Sequence, residues 1–423
     1  MKIRLLIANA YVGGGTARTI SSTASALAQR GHDVEVVSVL RRREKLTFPM
    51  DPRVRVIPLV DEWSHKQGLE PSGGFKGELR DRWREVAAPR RSIIGHRRDG
   101  RTEEWSVYTD LELLRFVLSV RDGVLVGTRP AINLVIAKFA RPGVVRVAQD
   151  HMNLGSYRPP LRRSIARWYP RLDAVVTLTE RDAHEYDALL KGSTRVLAIP
   201  NGVPDLGGHR ATLDSKVVIT AGRLAKQKGY DRLLPVWARV AAQRPDWRLE
   251  IYGAGPVEDA LKEQLEALNL QGSAELKGRT SELFERMAES SLYVMTSRKE
   301  GLPMVLLEAM GVGLPVISYD CPTGPRDIIT DGVDGYVVPN GDKKALEARM
   351  LELMDDKDKR VRMAEAARQK AENFEVAKLA ERWEGLFREL SDAKRLNNGS
   401  ASRPRLEQAR KGAALLRQKL GQR

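Results

Sequence analysis

The chain has 423 residues, with 71 Lys and Arg against 55 Asp and Glu, a formal net charge of +16 that favours anionic partners. Its one cysteine, Cys321, excludes an internal disulfide and is typical of a protein from a reducing compartment. No apolar run approaches the roughly 20 residues of a membrane span, and the first apolar stretch is too short and interrupted for a signal peptide. Length and composition therefore predict a cytoplasmic protein of two domains.

The N-terminal half begins with a strand–helix–strand pattern. An apolar strand is predicted over residues 3–8, a helix over 16–30 and a second apolar strand over 34–40. Strands that are apolar throughout predict a parallel sheet covered by helices on both faces. The glycine loop between the first strand and helix lets a backbone pass close to a ligand, although a packing turn is an equally good interpretation. It lacks the spacing of the dinucleotide fingerprint.

A histidine follows a later strand of this half. His151 comes directly after the apolar strand predicted over 144–148, in the segment Gln149-Asp150-His151-Met152. At a strand end a histidine is as often a packing or surface residue as a ligand. Asp150 is an equally good candidate for orienting a substrate hydroxyl.

A second strand–helix series begins near Lys216, after a linker over 201–213 where Gly, Pro and Asp cluster. Its elements are predicted as strands over 217–221, 248–252 and 291–295 and helices over 229–243 and 257–268. Arg223 and Lys228 follow its first strand, where a doubly wound fold presents ligand groups. They are candidates for clamping two phosphates, the alternative being a pair of solvated loop cations.

The segment from Glu300 to Gly311, Glu-Gly-Leu-Pro-Met-Val-Leu-Leu-Glu-Ala-Met-Gly, predicts a loop and a short helix before a buried strand. Pro303 suits the first helical position, and Gly311 and Gly313 are expected to close the helix. Free backbone N–H groups at the helix start would form an anion site, and Glu300 and Glu308 could accept hydrogen bonds from hydroxyls. The combination suits a sugar diphosphate. Alone, two glutamates at this spacing are as well explained as solvated helix charges.

In this context the sequence resembles family 4 of the retaining glycosyltransferases, the group 1 enzymes of GT-B fold that take a sugar from a nucleotide donor. The resemblance covers most of the chain and is strongest over 217–341. It rests on the two glutamates separated by seven residues, on Gly222-Arg223 with Lys228-Gly229, and on Pro200-Asn201-Gly202-Val203. It implies an α/β fold of two doubly wound Rossmann-like domains facing across a cleft.

The resemblance also implies domain boundaries. Residues 1–205 would form the acceptor-binding domain and residues 206–373 the nucleotide-sugar-binding domain. A helix over 374–390 would return to the N-terminal domain, and 391–423 would be a basic tail. Leucines and alanines at near-helical spacing in that tail, with cations between them, permit an amphipathic helix on an anionic membrane surface. The protein could then be peripheral on the inner face of the membrane.

The site residues follow from the same resemblance. Arg223 and Lys228 would contact the diphosphate and stabilise the charge on the leaving phosphate, while Glu300 and His151 would lie by the donor sugar. Glu308 would hold the ribose hydroxyls. The remaining donor-binding residues would be Gly14, Gly15, Gly278, Arg279, Gly301, Leu302, Pro303 and Met304. The family needs no metal ion and no cofactor for this chemistry, and the sequence offers no clear metal-ligand cluster.

The implied reaction is the retaining transfer of a hexose or N-acetylhexosamine from a nucleotide sugar, with UDP the leading candidate. The acceptor would be a hydroxyl of a cell-envelope glycan, lipid-linked or polyanionic, and arginines between residues 80 and 101 favour an anionic one. A small secondary metabolite is an alternative acceptor. Two alternative functions belong to other classes of protein. An NAD-type oxidoreductase is disfavoured because the sequence lacks the dinucleotide-binding fingerprint, and a nucleic-acid-binding protein because it lacks a basic motif interleaved with aromatic residues. Nucleic acid is therefore not an expected partner.

Overall fold

The computed structural model describes residues 1–67, 83–94 and 104–396. Within them the strands form two parallel sheets, with the orders β3-β2-β1-β4-β5-β6-β7 and β10-β9-β8-β11-β12-β13. The first sheet contains β1 Lys2–Ile7, β2 Asp33–Arg41, β3 Arg55–Asp61, β4 Val124–Gly127, β5 Val145–Gln149, β6 Ala174–Thr177 and β7 Arg195–Ala198. The second contains β8 Val217–Ala221, β9 Arg248–Tyr252, β10 Ala274–Gly278, β11 Leu292–Met295, β12 Val316–Tyr319 and β13 Gly335–Val338.

Helices connect the successive parallel strands. Those of the N-terminal half are Gly15–Gln29, Glu62–Lys66, Val107–Ser119, Pro130–Phe139, Pro159–Trp168 and Glu180–Leu190, with a further turn of helix at 83–87. Those of the C-terminal half are Tyr230–Gln243, Glu258–Ala267, Leu283–Ala288, Met304–Val312, Pro325–Ile328, Lys343–Asp355, Lys357–Ala371 and a last helix over 376–396. Among the described helices, none is both long enough and apolar enough to cross a membrane.

Both faces of the first sheet are buried. Ile3 and Leu5 of β1 belong to one apolar cluster and Leu6 to the cluster on the opposite face. This alternation explains the continuous apolar runs in the sequence, because each face of a parallel sheet is covered by helices. The strands predicted over 217–221 and 248–252 coincide with β8 and β9.

The last helix, 376–396, crosses back to the first sheet. Leu379, Trp383 and Phe387 are buried in the same apolar cluster as Ile3. The segment between the two sheets lies against the start of this helix, since the N–H of Val203 donates to the carbonyl of Phe374 at 2.7 Å.

The helix begins at 376 and runs to 396, past the expected end at 390. Residues 391–396 of the expected tail are thus helical, and the predicted amphipathic segment lies outside the described residues.

Two details of the segment after Glu300 differ from expectation. Pro303 is the N-cap rather than the first helical residue, because its ψ of 89° is not helical. Gly311 lies inside the helix Met304–Val312, and only Gly313, in the left-handed region with φ 88°, ends it. Gly311 instead allows close packing, since a Cβ there would lie 2.5 Å from Leu206 Cδ1.

Candidate active site between the two sheets

A cavity of about 720 Å³ lies between the two halves of the molecule. Its N-terminal wall includes the glycine loop after β1 and the loops that follow β4 and β5, and its C-terminal wall includes the loop before the helix Met304–Val312. The predicted residues that line it are Gly14, Gly15, His151, Gly301, Leu302 and Met304. Residues that the sequence did not single out for this site, including Trp105, Arg129 and Tyr157, line it as well.

A second cavity, of about 490 Å³, lies at the carboxyl ends of β8 and β9 and beside the residues that follow β10. Arg223 and Arg279 both line it. Position 253 in its lining requires glycine, because a Cβ on Gly253 would lie 1.9 Å from the carbonyl oxygen of Gly222. Gly278 ends β10 with φ 71°, and its carbonyl accepts from the N–H of Gly253 at 2.7 Å. Two backbone segments therefore touch directly beside a basic pocket.

Lys228 and Glu300 form an ion pair, with Lys228 Nζ 2.7 Å from Glu300 Oε1. The hydroxyl of Ser297 donates to the same oxygen at 2.6 Å. The Glu300 side chain is only 9% exposed, so two donors compensate a largely desolvated carboxylate. Lys228 is thus oriented by Glu300, whereas Arg223 is exposed and lines the second cavity. The two predicted phosphate ligands have different surroundings.

Glu308 is paired across the cleft with a residue that the sequence left without a role. Its side chain is 2% exposed, and Nη1 of Arg18, from the helix Gly15–Gln29, lies 2.8 Å from its Oε1. The contact is an ion pair without hydrogen-bond alignment. Burial raises the pKa of Glu308, and Arg18 and then Lys228 oppose that rise. The only sequence signal for Arg18 was its place just after the glycine loop.

Asn153 joins the loop after β5 to the loop that carries Glu300. Its side-chain amide donates to Thr323 Oγ1 at 2.7 Å and to the carbonyl oxygen of Glu300 at 3.3 Å. Thr323 Oγ1 donates to the same carbonyl. Asn153 and Thr323 are both buried. Sequence reasoning gave neither residue a role, because their contact exists only when the two halves meet.

His151 presents a neutral imidazole to the main cavity. Both ring nitrogens are buried, and neither has a hydrogen-bond partner within the described part of the chain. Burial, and secondarily the charge of Arg129, lowers the pKa of His151 to about 4. An uncharged imidazole can donate one hydrogen bond and accept another, which suits sugar hydroxyls.

The alternative role for Asp150 is wrong. Its carboxylate is 1% exposed and accepts hydrogen bonds from Asn133 Nδ2 at 2.9 Å, from the Tyr169 hydroxyl at 3.2 Å and from the Tyr186 hydroxyl. At the end of β5 the Asp150 side chain points into the core, where hydrogen bonds from three donors compensate the desolvation of its carboxylate. Asp150 therefore anchors the segment that carries His151.

Metal-ligating groups are not clustered in this region. Within residues 1–67, 83–94 and 104–396, no three His, Cys, Asp or Glu side chains are placed to hold an ion together.

Comparisons with known proteins agree with this geometry. Residues 207–370 match the family model described as glycosyl transferases group 1. The chain is 30% identical over 289 residues to the amylovoran biosynthesis glycosyltransferase AmsD of Erwinia amylovora, an alignment covering 65% of the chain and 80% of that protein. It is 33% identical over 400 residues to an exopolysaccharide phosphotransferase of Streptomyces coelicolor. That alignment covers 92% of this chain but only 41% of the length of the Streptomyces protein.

Solved structures confirm the predicted α/β GT-B fold. A mutant of TarM from S. aureus, in complex with Fondaparinux, alpha-GlcNAc-glycerol and UDP, superimposes with a TM-score of 0.70 at 16% identity, over 91% of this chain and 99% of that one. The pneumococcal O-GlcNAc transferase GtfA, in complex with UDP and GlcNAc, gives a TM-score of 0.70 at 16% identity, over 92% and 99%. From the family model and the coverage of AmsD, the chain belongs to the group 1 glycosyl transferases.

Proposed function

We propose that the chain is a retaining glycosyltransferase that moves a hexose or N-acetylhexosamine from a UDP sugar to a hydroxyl of a cell-envelope glycan. The observation that carries the proposal is the Lys228–Glu300 pair, because the neighbouring residues Gln227 and Gly301 line the interdomain cavity and the Lys228 side chain lies beside Gly222 of the second cavity. A basic pocket with Arg223 and Arg279 lies on one side, and the interdomain cavity with His151 lies on the other. A nucleoside diphosphate fits the first and a sugar with its acceptor fits the second.

The named ligands and activities of related proteins support the donor and the acceptor class. UDP is bound in TarM, GtfA and the Anabaena protein HepE. Amylovoran biosynthesis and poly(glycerol-phosphate) glucosylation are activities of relatives, the second in Bacillus subtilis. Family membership favours sugar transfer over the oxidoreductase and nucleic-acid-binding alternatives. A small metabolite remains the alternative acceptor, and five of the eight arginines in the stretch 80–101 lie outside the described residues.

In the proposed reaction Arg223 and Lys228 contact the diphosphate, where charge grows as the sugar–phosphate bond breaks. Glu308 accepts hydrogen bonds from the ribose hydroxyls, and neutral His151 hydrogen-bonds the sugar. The acceptor oxygen attacks the anomeric carbon on the face that the phosphate leaves, so the configuration is retained. The leaving phosphate oxygen takes the acceptor proton, which requires no metal ion.

The pairing of Glu308 argues against that residue as the nucleophile of a covalent intermediate. A nucleophilic carboxylate needs a free oxygen beside the anomeric carbon. Oε1 of Glu300 is held by Lys228 and Ser297, and Glu308 is buried under Arg18. Glu308 is therefore suited to binding rather than to nucleophilic attack, and Glu300 is held in place through one of its oxygens.

A thermal-shift experiment tests the donor assignment. UDP, GDP, ADP, TDP and NAD are each added with excess EDTA to the wild type, to Glu308→Gln and to Glu258→Gln, a control at a partly exposed glutamate of another helix. A selective shift with UDP that Glu308→Gln loses and the control keeps supports the proposal. A shift with NAD alone, or a Glu308→Gln variant that responds like wild type, contradicts it. Nuclear magnetic resonance of the first product anomer then distinguishes retention from inversion.

We also propose that the basic tail contacts an anionic membrane surface. The proposal rests on the amphipathic spacing of its leucines and cations. Removing residues 397–423 should weaken binding to phosphatidylglycerol vesicles at low salt. Equal binding by the shortened chain contradicts a membrane role for the tail.

A further inference from the structure

Arginines over 158–171 differ from most other surface arginines of the described chain. This segment, Arg-Pro-Pro-Leu-Arg-Arg-Ser-Ile-Ala-Arg-Trp-Tyr-Pro-Arg, contains five arginines and no acidic residue. Elsewhere such side chains are commonly paired: Arg41 with Asp61, Arg42 with Glu62 and Glu104. In this segment Arg158, Arg162, Arg163, Arg167 and Arg171 are all exposed, and none of them forms an ion pair within the described residues.

The segment starts at the rim of the interdomain cavity. Tyr157 lines that cavity, Arg158 is the next residue, and the helix Pro159–Trp168 follows. Ten helical residues extend roughly 15 Å, so the arginines run from the rim over the outer surface. We call these five side chains the arginine track.

The helix presents its apolar side to the protein and its charge to solvent. Leu161 and Ile165 are fully buried in the core of the first sheet. The guanidinium carbons of Arg167 and Arg171 lie 5.2 and 4.6 Å from the ring centroid of Trp168, and Lys138 Nζ lies 4.9 Å from it. The Trp168 ring thus contacts three cations, and because it carries no net charge it does not neutralise them.

We propose that the arginine track binds the anionic backbone of a repeating, phosphate-bearing acceptor chain while the end of that chain occupies the interdomain cavity. The inference rests on the proposed glycosyltransferase function and narrows its acceptor to a polyanion. Five exposed guanidinium groups on one short segment can contact successive phosphates, each of which guanidinium binds through two hydrogen bonds. Occupying the track raises the effective concentration of the chain end at the cavity, so long chains bind better than short ones.

Charge and burial favour a polymer over a lipid surface at this site. A helix that lies on a membrane inserts apolar side chains from its outward face. Between 158 and 171 no large apolar side chain is exposed, and the leucine and isoleucine of the helix face inward. The track therefore offers five charges and one half-buried ring, that of Trp168.

The test removes three charges from the track and three from elsewhere. The track variant is Arg162→Gln, Arg163→Gln and Arg167→Gln. The matched control is Arg248→Gln, Lys344→Gln and Arg362→Gln, whose side chains are exposed on the C-terminal half and unpaired among the described residues. Binding of short and long poly(glycerol phosphate) chains is measured by fluorescence polarisation at physiological salt, beside phosphatidylglycerol vesicles and the UDP thermal shift.

The track variant should bind long chains about tenfold more weakly, with a much smaller change for short chains, whereas the control stays within about twofold of wild type. Equal weakening in both variants would show that net charge alone matters and would overturn the proposal. So would a track variant that loses vesicle binding but keeps polymer binding. An unchanged UDP shift in the track variant separates this result from the donor site; a wild type without any UDP shift contradicts the proposed function instead.

Discussion

Arg18 and Glu308 face each other across the cleft, with 2.8 Å between Nη1 and Oε1. The arginine comes from the helix after the glycine loop of the first sheet. The glutamate comes from the helix that follows β11 of the second sheet. The Cζ atom of Arg18 also lies 5.9 Å from the ring centroid of Phe284, in the helix Leu283–Ala288 of the C-terminal half. Arg18, from the opposite half of the molecule, therefore opposes the rise in the pKa of Glu308 that burial causes.

Replacing Arg18 by Gln should make UDP binding more sensitive to acid. Arg18 lowers the pKa of Glu308, so its loss lets burial raise that pKa further and favours the protonated carboxyl, which accepts ribose hydrogen bonds less well. The UDP thermal shift, measured across a pH series, should fall at a higher pH in Arg18→Gln than in wild type. Arg53→Gln, which breaks an exposed pair with Asp51, is the control. Coincident pH profiles for Arg18→Gln and wild type would contradict the assignment.

Asn153→Ala should lower kcat about tenfold while the donor KM changes little. The side chain holds the Glu300 loop through its main-chain carbonyl, so its loss misplaces Glu300 without removing a donor contact. Steady-state kinetics at saturating acceptor provide the measurement.

Arg181→Ala is the matched control for Asn153, because Nη1 of Arg181 donates across the same interface, to the Pro322 carbonyl at 2.8 Å, without touching Glu300. A loss of kcat of the same size in both variants would mean that Asn153 acts only by holding the two halves together.

His151 should make the folded state lose stability in acid. Its pKa falls from 6.5 in the unfolded chain to about 4 in the folded protein, so the unfolded state binds more protons between those values. The contribution is fully present above pH 6.5 and is lost as the pH falls toward 4, by about 3 kcal/mol. Urea unfolding of wild type and His151→Asn at several pH values measures it. Parallel stability curves for the two proteins would show that the imidazole is not desolvated as the structure indicates.

Gly253→Ala should destabilise the protein by about 2–4 kcal/mol and weaken UDP binding. Its φ of 142° is unfavourable for alanine, and the new Cβ would meet the Gly222 carbonyl at 1.9 Å. Gly272→Ala is the control, since a Cβ there has no neighbour within 4 Å. Chemical denaturation with and without UDP compares them; equal stability of the two variants would argue against the close backbone contact.

Much of the fold was predictable because its signals are local. A strand buried on both faces, such as β11, must be apolar along its length, and glycines mark where the backbone has to turn. The helix after Glu300 was found for the same reason, although its N-cap and its inner glycine were misplaced by one or two positions. Proline is usual at the first helical position, so its place at the N-cap could not be predicted from the sequence.

The sequence by itself determined the two doubly wound units, the glycine loops and the set of charged motif residues, since each depends on neighbours a few positions away. Only the tertiary structure decided which of these residues meet. Arg18 reaches Glu308, Asn153 reaches the Glu300 loop, and Asp150 turns into the core, all through contacts between segments far apart in the chain. Such partners depend on how the two sheets pack across the cleft, and buried charge must find a partner there because the interior solvates it poorly.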